Sequence, residues 1–281
     1  MEQQKLESAQ TAVGSRSADK IKRSVIVGSV WESKNCGSFE VLHYRNNQDV
    51  LVRFLLTGFE VNTSADQVRR GLVKDKLKPS AYGVGFNGVG DFKQYINNKR
   101  TKASTAWTAM LQRCYSDKLH ARCPTYADCT VCSEWHNFQN FAKWFYENYP
   151  NDGSSYELDK DLKVIGNKVY SPETCMFVSS GVNNFILVSN VKSGDFMVGV
   201  SFHKSTGKFR ATCKNPITGI PEHLCTLDCE LRAHLTWRKR KSELAYELAM
   251  VQDRDEVKQA LLNWKRALDN FDIHKIKEIN Q

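Results

Sequence analysis

The sequence has no apolar stretch long enough to cross a membrane, and its first residues are polar where a signal peptide would be apolar. Acidic residues are in the minority, because 31 aspartates and glutamates stand against 40 lysines and arginines, a formal charge of +9. The first pattern predicts a cytoplasmic protein with no membrane partner. The second suits a polyanionic partner, although proteins that bind no nucleic acid also carry charges of this size.

Paired cysteine motifs are scarce. There are nine cysteines, but only one C-x-x-C spacing occurs, at Cys129 and Cys132. In a cytoplasmic protein, cysteines indicate free thiols or a metal site more than disulfides. A structural Zn²⁺ would take Cys129, Cys132 and Cys175 as its first ligands. The favoured alternative is ordinary core cysteines, since buried thiols behave as small hydrophobic groups.

Composition and periodicity divide the chain into five segments and predict an α+β fold. Short β runs separated by turn residues mark residues 24–91 and 197–227, and helical spacing marks residues 105–149 and the stretch from Cys229 onward. In order, we expect a disordered tail (1–22), a β-rich N-terminal module (23–95), a central core (100–190), a sheet-plus-helix domain (193–252) and a C-terminal helix (253–281).

Two central segments, Thr105 to Tyr115 and Glu134 to Tyr149, have the spacing of amphipathic helices. Their large apolar residues recur on one face of each segment. We interpret this pattern as core packing, with stacking of nucleic-acid bases as a lesser alternative. The residues are Trp107, Met110, Leu111 and Cys114 on the first, and Trp135, Phe138, Phe141, Ala142 and Phe145 on the second.

The stretch from Tyr156 to Cys175 carries the densest chemistry. A short strand leads into Asp159 and Asp161 on either side of Lys160, and a Gly-Asn turn follows at Asn167. Ser171-Pro172-Glu173 then predicts a helix start, with serine as the cap and proline at the first helical position. The two carboxylates could hold a metal. Equally, they could be one buried or paired aspartate and one solvated aspartate, since alternate strand residues point to opposite faces.

Four motifs resemble a phage HNH homing-endonuclease-like family. They read A-W-T-A-M-L-Q-R-C-Y (106–115), V-C-S-E-W-H-N-F (131–138), L-D-K-D (158–161) and Y-S-P-E-T-C (170–175). The N-terminal β region also looks like the segment that phages place ahead of this core. The resemblance implies a hairpin feeding a helix, a frame that holds one divalent metal, and location in the cytoplasm of an infected bacterial host.

The resemblance departs from the family's pattern at the general base. An intact HNH motif has a histidine on the first strand, whereas this strand reads Leu158-Asp159-Lys160-Asp161. Lysine at its ordinary pKa is a poor base at neutral pH, and His136, on the second central helix, is expected to be structural. The resemblance therefore implies a degenerate centre whose catalytic candidates are Asp159, Lys160, Asp161 and Asn167, with Mg²⁺ held by Asp159 and Asp161.

The segment after residue 193 resembles the Apetala/ERF-type DNA-binding domain that is fused to phage nucleases. The matching motifs are G-V-S-F-H-K-S-T-G-K-F-R-A (199–211), H-L-C-T-L (223–227) and A-H-L-T-W-R-K-R-K (233–241). In that family a three-stranded sheet enters the major groove and a helix supports it from behind. The resemblance implies a DNA face formed by His203, Lys204, Lys208, Arg210 and Lys214.

A basic run on the following helix extends this positive charge. It comprises Arg238, Lys239, Arg240 and Lys241. A solvated helix face is the simple interpretation. We favour contact with phosphates, because the charge is concentrated in the segment that resembles a DNA-binding domain.

The two resemblances together imply a sequence-specific, DNA-binding, homing-endonuclease-like protein that hydrolyses phosphodiesters with Mg²⁺. The missing histidine supports an alternative, a catalytically inactive, nuclease-derived regulator that represses phage or mobile-element genes. A third hypothesis is an interaction protein whose N-terminal module binds a host protein.

Overall fold

The computed structural model describes residues 24–187 and 196–270. The predicted tail (1–22), the first residues of the predicted sheet-plus-helix domain and the end of the predicted C-terminal helix lie outside these ranges. The α+β class is confirmed, because helices and antiparallel sheets both occur throughout the described chain. The chain forms two compact units, divided between Lys78 and Pro79.

The first unit is an antiparallel sheet of four strands in sequence order. The strands are β1 (Val30–Ser33), β2 (Gly37–Asn46), β3 (Asp49–Phe54) and β4 (Glu60–Thr63), followed by helix α1 (Ala65–Arg70). Alternate residues face a core, which includes Phe39, Val41, Val50, Val52 and Phe54.

The second unit opens with a small hairpin and two central helices. Its elements are β5 (Tyr95–Ile96), β6 (Lys99–Arg100), α2 (Lys102–Tyr115), α3 (Asp117–His120), β7 (Thr130–Val131) and α4 (Phe138–Asn148). The second predicted helix begins four residues later than expected. Ser133–His136 forms a single 3₁₀ turn, and the Asn137 side chain then caps α4 by accepting from the Gln139 N–H at 3.0 Å.

A strand–strand–helix unit follows, formed by β8 (Tyr156–Asp159), β10 (Met176–Ser179) and α5 (Ser180–Ile186). Strand β9 (Val169–Tyr170) lies between them in sequence and pairs in parallel with β7. The predicted helix start at Ser171-Pro172-Glu173 is wrong. Ser171 opens a turn, in which its carbonyl accepts from the Cys175 N–H at 3.0 Å, and α5 begins only after Ser179. Serine followed by proline suits the first positions of a turn as well as a helix start.

The C-terminal part is a three-stranded antiparallel sheet with two helices. It comprises β11 (Val200–His203), β12 (Lys208–Lys214), β13 (Pro221–Leu227), α6 (Glu230–Met250) and α7 (Asp255–Asp269). The N-cap position of α6 is Cys229. The inner face of the sheet, α5, α6 and α7 share one core around Trp237, Leu244 and Trp264. In the ranges that the structure covers, no helix is both long and apolar enough to span a membrane.

Candidate functional site

Asp159, the first predicted catalytic residue, braces a turn inside the protein. Its side chain is 8% exposed, and its Oδ1 accepts from the N–H groups of Asp161 at 2.9 Å and Leu162 at 2.6 Å. Burial raises the pKa of the Asp159 carboxyl above its ordinary value, since desolvation disfavours the charged form. The N–H groups that follow the end of β8 thus bond to the Asp159 carboxylate instead of to a neighbouring strand. Asp161 lies beyond the strand, so the two aspartates do not alternate across its two faces.

Lys160, Asp161 and Asn167 close the loop that follows. The Lys160 ammonium, also buried, lies 2.5 Å from Oδ1 of Asp161 and donates to the Asn167 carbonyl at 3.0 Å. The Asn167 amide donates to the carbonyls of Lys160 at 3.0 Å and Val169 at 2.7 Å. The structure therefore brings all four predicted catalytic residues together, and their polar groups mainly bond to one another and to the loop backbone.

The donor set of this loop does not fit a divalent cation as it stands. The acceptor oxygen of Asp159 is directed at two backbone N–H groups, and the half-exposed carboxylate of Asp161 is paired with an ammonium group. Among residues 24–187 and 196–270, no three His, Cys, Asp or Glu side chains are grouped as metal ligands. Mg²⁺ binding stays a prediction.

The turn at Asp159 leads to a prediction on stability. We expect Asp159→Ala to lower the free energy of unfolding by roughly 1–3 kcal/mol, because the buried N–H of Leu162 and the partly buried N–H of Asp161 lose their acceptor. Asp159→Asn retains an acceptor oxygen and cannot ionise. A carboxyl whose pKa is raised on folding stabilises the fold below its unfolded pKa, and this stabilisation is lost as pH rises through the folded pKa.

Asp159→Asn should therefore gain stability relative to the native chain as pH rises from 4 to 8. Urea unfolding across this range measures the effect for both variants. Equal losses in the alanine and asparagine variants at every pH would contradict the assigned role of the carboxylate.

The three predicted zinc ligands lie in or beside the central core. Cys129 and Cys175 are buried and Cys132 is partly buried, and all three are free thiols. Burial raises the pKa of each thiol, that of Cys175 to about 12. This environment favours the neutral thiol over the thiolate that binds metals, as expected for ordinary core cysteines. Zinc binding stays a prediction.

His136 packs within the same unit. Its Nε2 lies 3.2 Å from the Tyr115 hydroxyl, which in turn accepts from the Val131 N–H at 3.1 Å. The Tyr115 hydroxyl, at the end of α2, thus contacts both the backbone of β7 and the His136 imidazole, a contact of the structural kind expected for His136.

The outer face of the C-terminal sheet is polar and exposed. Alternation along the strands directs Val200, Ala211 and Cys213 to the core. The opposite face carries Ser201 and His203 of β11, Lys208, Arg210, Thr212 and Lys214 of β12, and His223 and Thr226 of β13. We call these eight residues the sheet face. Arg210 lies at its centre, opposite Ser201 on one side and Thr226 on the other.

The sheet face carries lysine and arginine side chains and no acidic ones. Arg210 and Lys214 are exposed, as is Lys204 in the adjoining turn. Glu222 is the only acidic residue in the three strands, and its carboxylate bonds to Arg240 of α6, on the opposite side of the sheet. Asp228, just beyond β13, pairs with Lys208 at 3.4 Å. The centre of the face therefore presents a positive potential next to hydroxyl groups.

His203 has a local role at the tip of the β11–β12 hairpin. Its Nδ1 lies 3.1 Å from the hydroxyls of both Thr206 and Ser205. The histidine thereby holds the turn that carries Lys204 at the margin of the sheet face.

The basic run on α6 does not act as one surface. Lys241 is buried, donates to the Phe185 carbonyl at 2.6 Å and lies 3.7 Å from the centre of that ring, and burial lowers its pKa to about 8. Arg240 makes ion pairs with Glu222, Glu243 and Glu247, and Arg238 donates to the Ala267 carbonyl at 3.0 Å. Of the four residues, only Lys239 is largely exposed to solvent.

The four basic residues that were predicted to contact DNA from α6 do not share one face of the helix. Because each helical residue turns by 100°, four consecutive side chains surround the helix rather than share a face. Arg238, Arg240 and Lys241 mainly join α6 to its neighbours. Their side chains therefore serve the packing of α6 and do not form one exposed basic surface.

The bidentate pair between Glu222 and Arg240 predicts a pH effect. Its two N–O distances are 2.7 and 3.0 Å, and the hydrogen bonds from Arg240 lower the pKa of Glu222 to about 2. A lowered folded pKa contributes stability above the unfolded value of 4.5, and this contribution is lost as pH falls toward 2. Glu222→Gln should lower the melting temperature at pH 7, and the difference from the native chain should shrink below pH 4.5.

Glu243→Gln is the matched control for this effect. Glu243 contacts the same arginine at 3.2 Å, but its side chain is 48% exposed, so its replacement should change the melting temperature less. Thermal unfolding at pH 3, 5 and 7 measures both variants. A difference for Glu222→Gln that does not vary with pH would contradict the assigned ion pair.

Four members of the sheet face were missed from the sequence, namely Ser201, Thr212, His223 and Thr226. The prediction of the DNA face rested mainly on basic residues, and none of these four is a lysine or an arginine. The alternation of buried and exposed positions along the strands was the signal that could have placed them on the same face as Arg210.

Comparison of the chain with protein-family models, with curated proteins and with solved structures finds no match.

Proposed function

We propose that this chain is a sequence-specific double-stranded-DNA-binding protein that contacts DNA through the sheet face. The observation that supports the proposal most directly is the exposed, basic outer face of β11–β13, with its strand carboxylate turned toward α6. A surface that combines arginine, lysine and hydroxyl groups supplies both phosphate contacts and hydrogen bonds to base edges.

The dimensions of the sheet are compatible with the major groove. Neighbouring strands lie about 4.8 Å apart, so the backbones of three strands span about 10 Å, while the groove is about 12 Å wide. Arg210 at the centre has the geometry to contact O6 and N7 of a guanine with two donors. Lys204 and Lys214, nearer the margins, are placed to contact the phosphates on either side.

The test is the salt dependence of binding to duplex DNA. Fluorescence anisotropy of a labelled duplex should show an affinity that falls linearly with salt on logarithmic axes, because bound lysines release counterions. The triple variant Lys204→Ala, Lys208→Ala, Lys214→Ala should reduce the slope by up to about three units, roughly one per lost phosphate contact.

A triple variant at exposed lysines of the first and central regions, Lys74→Ala, Lys118→Ala, Lys143→Ala, removes the same charge elsewhere. It should leave the slope nearly unchanged. Equal losses in the two triple variants would show that binding depends on total charge and not on the sheet face. An absence of duplex binding at low salt would overturn the proposal and favour the protein-interaction hypothesis.

A metal-dependent endonuclease is the second candidate, and the order β8–β10–α5 favours it. This strand–strand–helix order is the one that the HNH resemblance implies. Incubation of duplex DNA with the full chain, with Mg²⁺ or with EDTA, tests the candidate. Discrete cuts that need Mg²⁺ and vanish in Asp161→Ala would establish an enzyme. Binding without cuts would leave a DNA-binding regulator, such as a repressor of phage or mobile-element genes.

A further inference from the structure

A pocket of about 310 Å³ is lined by residues of the central core, none of which belongs to the sheet face. Its wall is built from α2, the end of α4 and the antiparallel pair β8 and β10, together with Arg100 of β6. The volume lies near the lower end of the range for small-molecule sites, about 300–1,000 Å³, and suits a ligand of mononucleotide size.

The lining of the pocket carries an excess of positive charge. Arg100, Lys102 and Arg113 contribute three cations, and Glu157 is the one carboxylate among the described lining residues. Both carboxylate oxygens of Glu157 accept hydrogen bonds from α5, one from the Ser180 hydroxyl at 2.7 Å and the other from the Asn183 amide. These neutral donors orient the Glu157 carboxylate without removing its charge, so three cations against one carboxylate leave the lining with a net charge of +2. The exposed side chains of Arg100 and Lys102 can therefore attract an anion.

Aromatic rings form the rest of the wall. Tyr149 stacks on Phe145 with ring centres 4.8 Å apart, and Tyr156 meets it edge-on at 5.9 Å. The Tyr149 hydroxyl accepts from the Tyr156 N–H at 3.1 Å, which fixes the orientation of the ring. A rigid tyrosine beside an excess of cations is the combination that binds a planar base together with a phosphate.

Lys102 connects this pocket to a second one. Its ammonium lies 5.0 Å from the centre of the Tyr149 ring. A neighbouring pocket of about 290 Å³ shares Lys102, Phe145 and Tyr149 with the first. The exposed Lys102 side chain therefore borders both pockets.

We propose that this pocket binds a nucleotide, with the phosphate on Arg100 and Lys102 and the base against Tyr149. Two sources present this chemistry, a free mononucleotide and an unpaired nucleotide of single-stranded DNA. The site is separate from the sheet face and does not depend on duplex binding.

Calorimetric titration of the full chain tests the proposal with four probes. These are deoxyadenosine monophosphate, deoxyadenosine, inorganic phosphate and a 5′-phosphorylated single-stranded hexanucleotide. We expect saturable binding of the nucleotide, and binding about tenfold or more weaker for the nucleoside or phosphate alone, since each lacks one of the two contacts. Tighter binding of the hexanucleotide than of the monophosphate would identify a DNA strand as the source, and the reverse a free nucleotide.

Lys102→Glu and Lys143→Glu form the matched pair of variants. Lys102 is the first residue of α2, where a carboxylate is favourable to the helix, so its replacement should fold. Lys143 is exposed on α4 but does not line the pocket. Lys102→Glu should weaken nucleotide binding about tenfold or more, and Lys143→Glu less than about twofold. No saturable binding by the native chain, or equal losses in the two variants, would overturn the proposal.

Discussion

Replacement of Gly199 by alanine should destabilise the C-terminal sheet more than any other single-methyl addition in that domain. Gly199 precedes β11 with φ +78°, and a Cβ at this position would overlap the indole ring of Trp237 on α6. A left-handed backbone costs about 1–2 kcal/mol for a residue with a Cβ, and overpacking adds about 1–3 kcal/mol. We expect Gly199→Ala to lower the free energy of unfolding by roughly 2–5 kcal/mol, the sum of the two costs.

Gly207→Ala is the control that separates the two costs. Gly207 lies in the β11–β12 turn with φ +67°, and no atom lies within 4 Å of a Cβ built there. Its replacement should cost only the backbone term of about 1–2 kcal/mol. Urea unfolding followed by tryptophan fluorescence compares the variants. Equal losses would show that the contact with Trp237 is not the cause.

Gly199→Ala should also weaken the proposed DNA binding, because Trp237 joins this position to the helix that supports the sheet. The indole stacks on His234 with ring centres 5.7 Å apart, and His234 Nδ1 lies 2.9 Å from the Val198 carbonyl. Gly199 thus lies where the sheet meets its supporting helix. A shift at this point moves β11 and, with it, Ser201 and His203 of the sheet face.

Arg210→Ala should produce the largest loss of specific DNA affinity among single substitutions on the sheet face. Arg210 is exposed on the central strand between Ser201 and Thr226. A guanidinium that contacts a guanine contributes about 1–3 kcal/mol of discrimination, so affinity for the preferred site should fall by roughly 5–150-fold. Affinity for unrelated duplexes should fall much less.

Arg232→Ala is the matched control for Arg210→Ala. Arg232 is equally charged and exposed, but it lies on α6, which supports the inner side of the sheet. Selection from a random duplex library would first identify the preferred site, and anisotropy would then compare both variants on that site and on a scrambled one. The same loss on both duplexes for Arg210→Ala would mean that the residue contacts phosphate rather than a base.

The sequence was sufficient for elements whose pattern is local. The spacing of Trp107, Met110 and Leu111 predicts α2, and the alternation in 199–211 with a glycine turn predicts the β11–β12 hairpin. In both cases the residues that decide the element are close in the chain, so one-dimensional periodicity carries the information.

Motifs shared by two kinds of structure could not be resolved in this way. Ser171-Pro172 satisfies the requirements of a helix start and of a turn, and pairing of β10 with the distant β8 selects the turn. Likewise, Asp159 and Asn167 carry the chemistry of a catalytic centre, but their bonding partners are backbone groups of the loop that they hold. Hydrogen-bond partners depend on the folded path of the chain, which residue identity does not specify.

By itself the sequence determined the α+β class, the basic balance of the chain and the helical spacing of α2. Only the tertiary structure decided that Lys241 is buried against Phe185, that Arg240 pairs with three carboxylates, and that Lys102 lies over Tyr149 beside a pocket. The reason is that charge and periodicity are properties of the chain. Burial and ion pairing instead depend on which distant segments pack together.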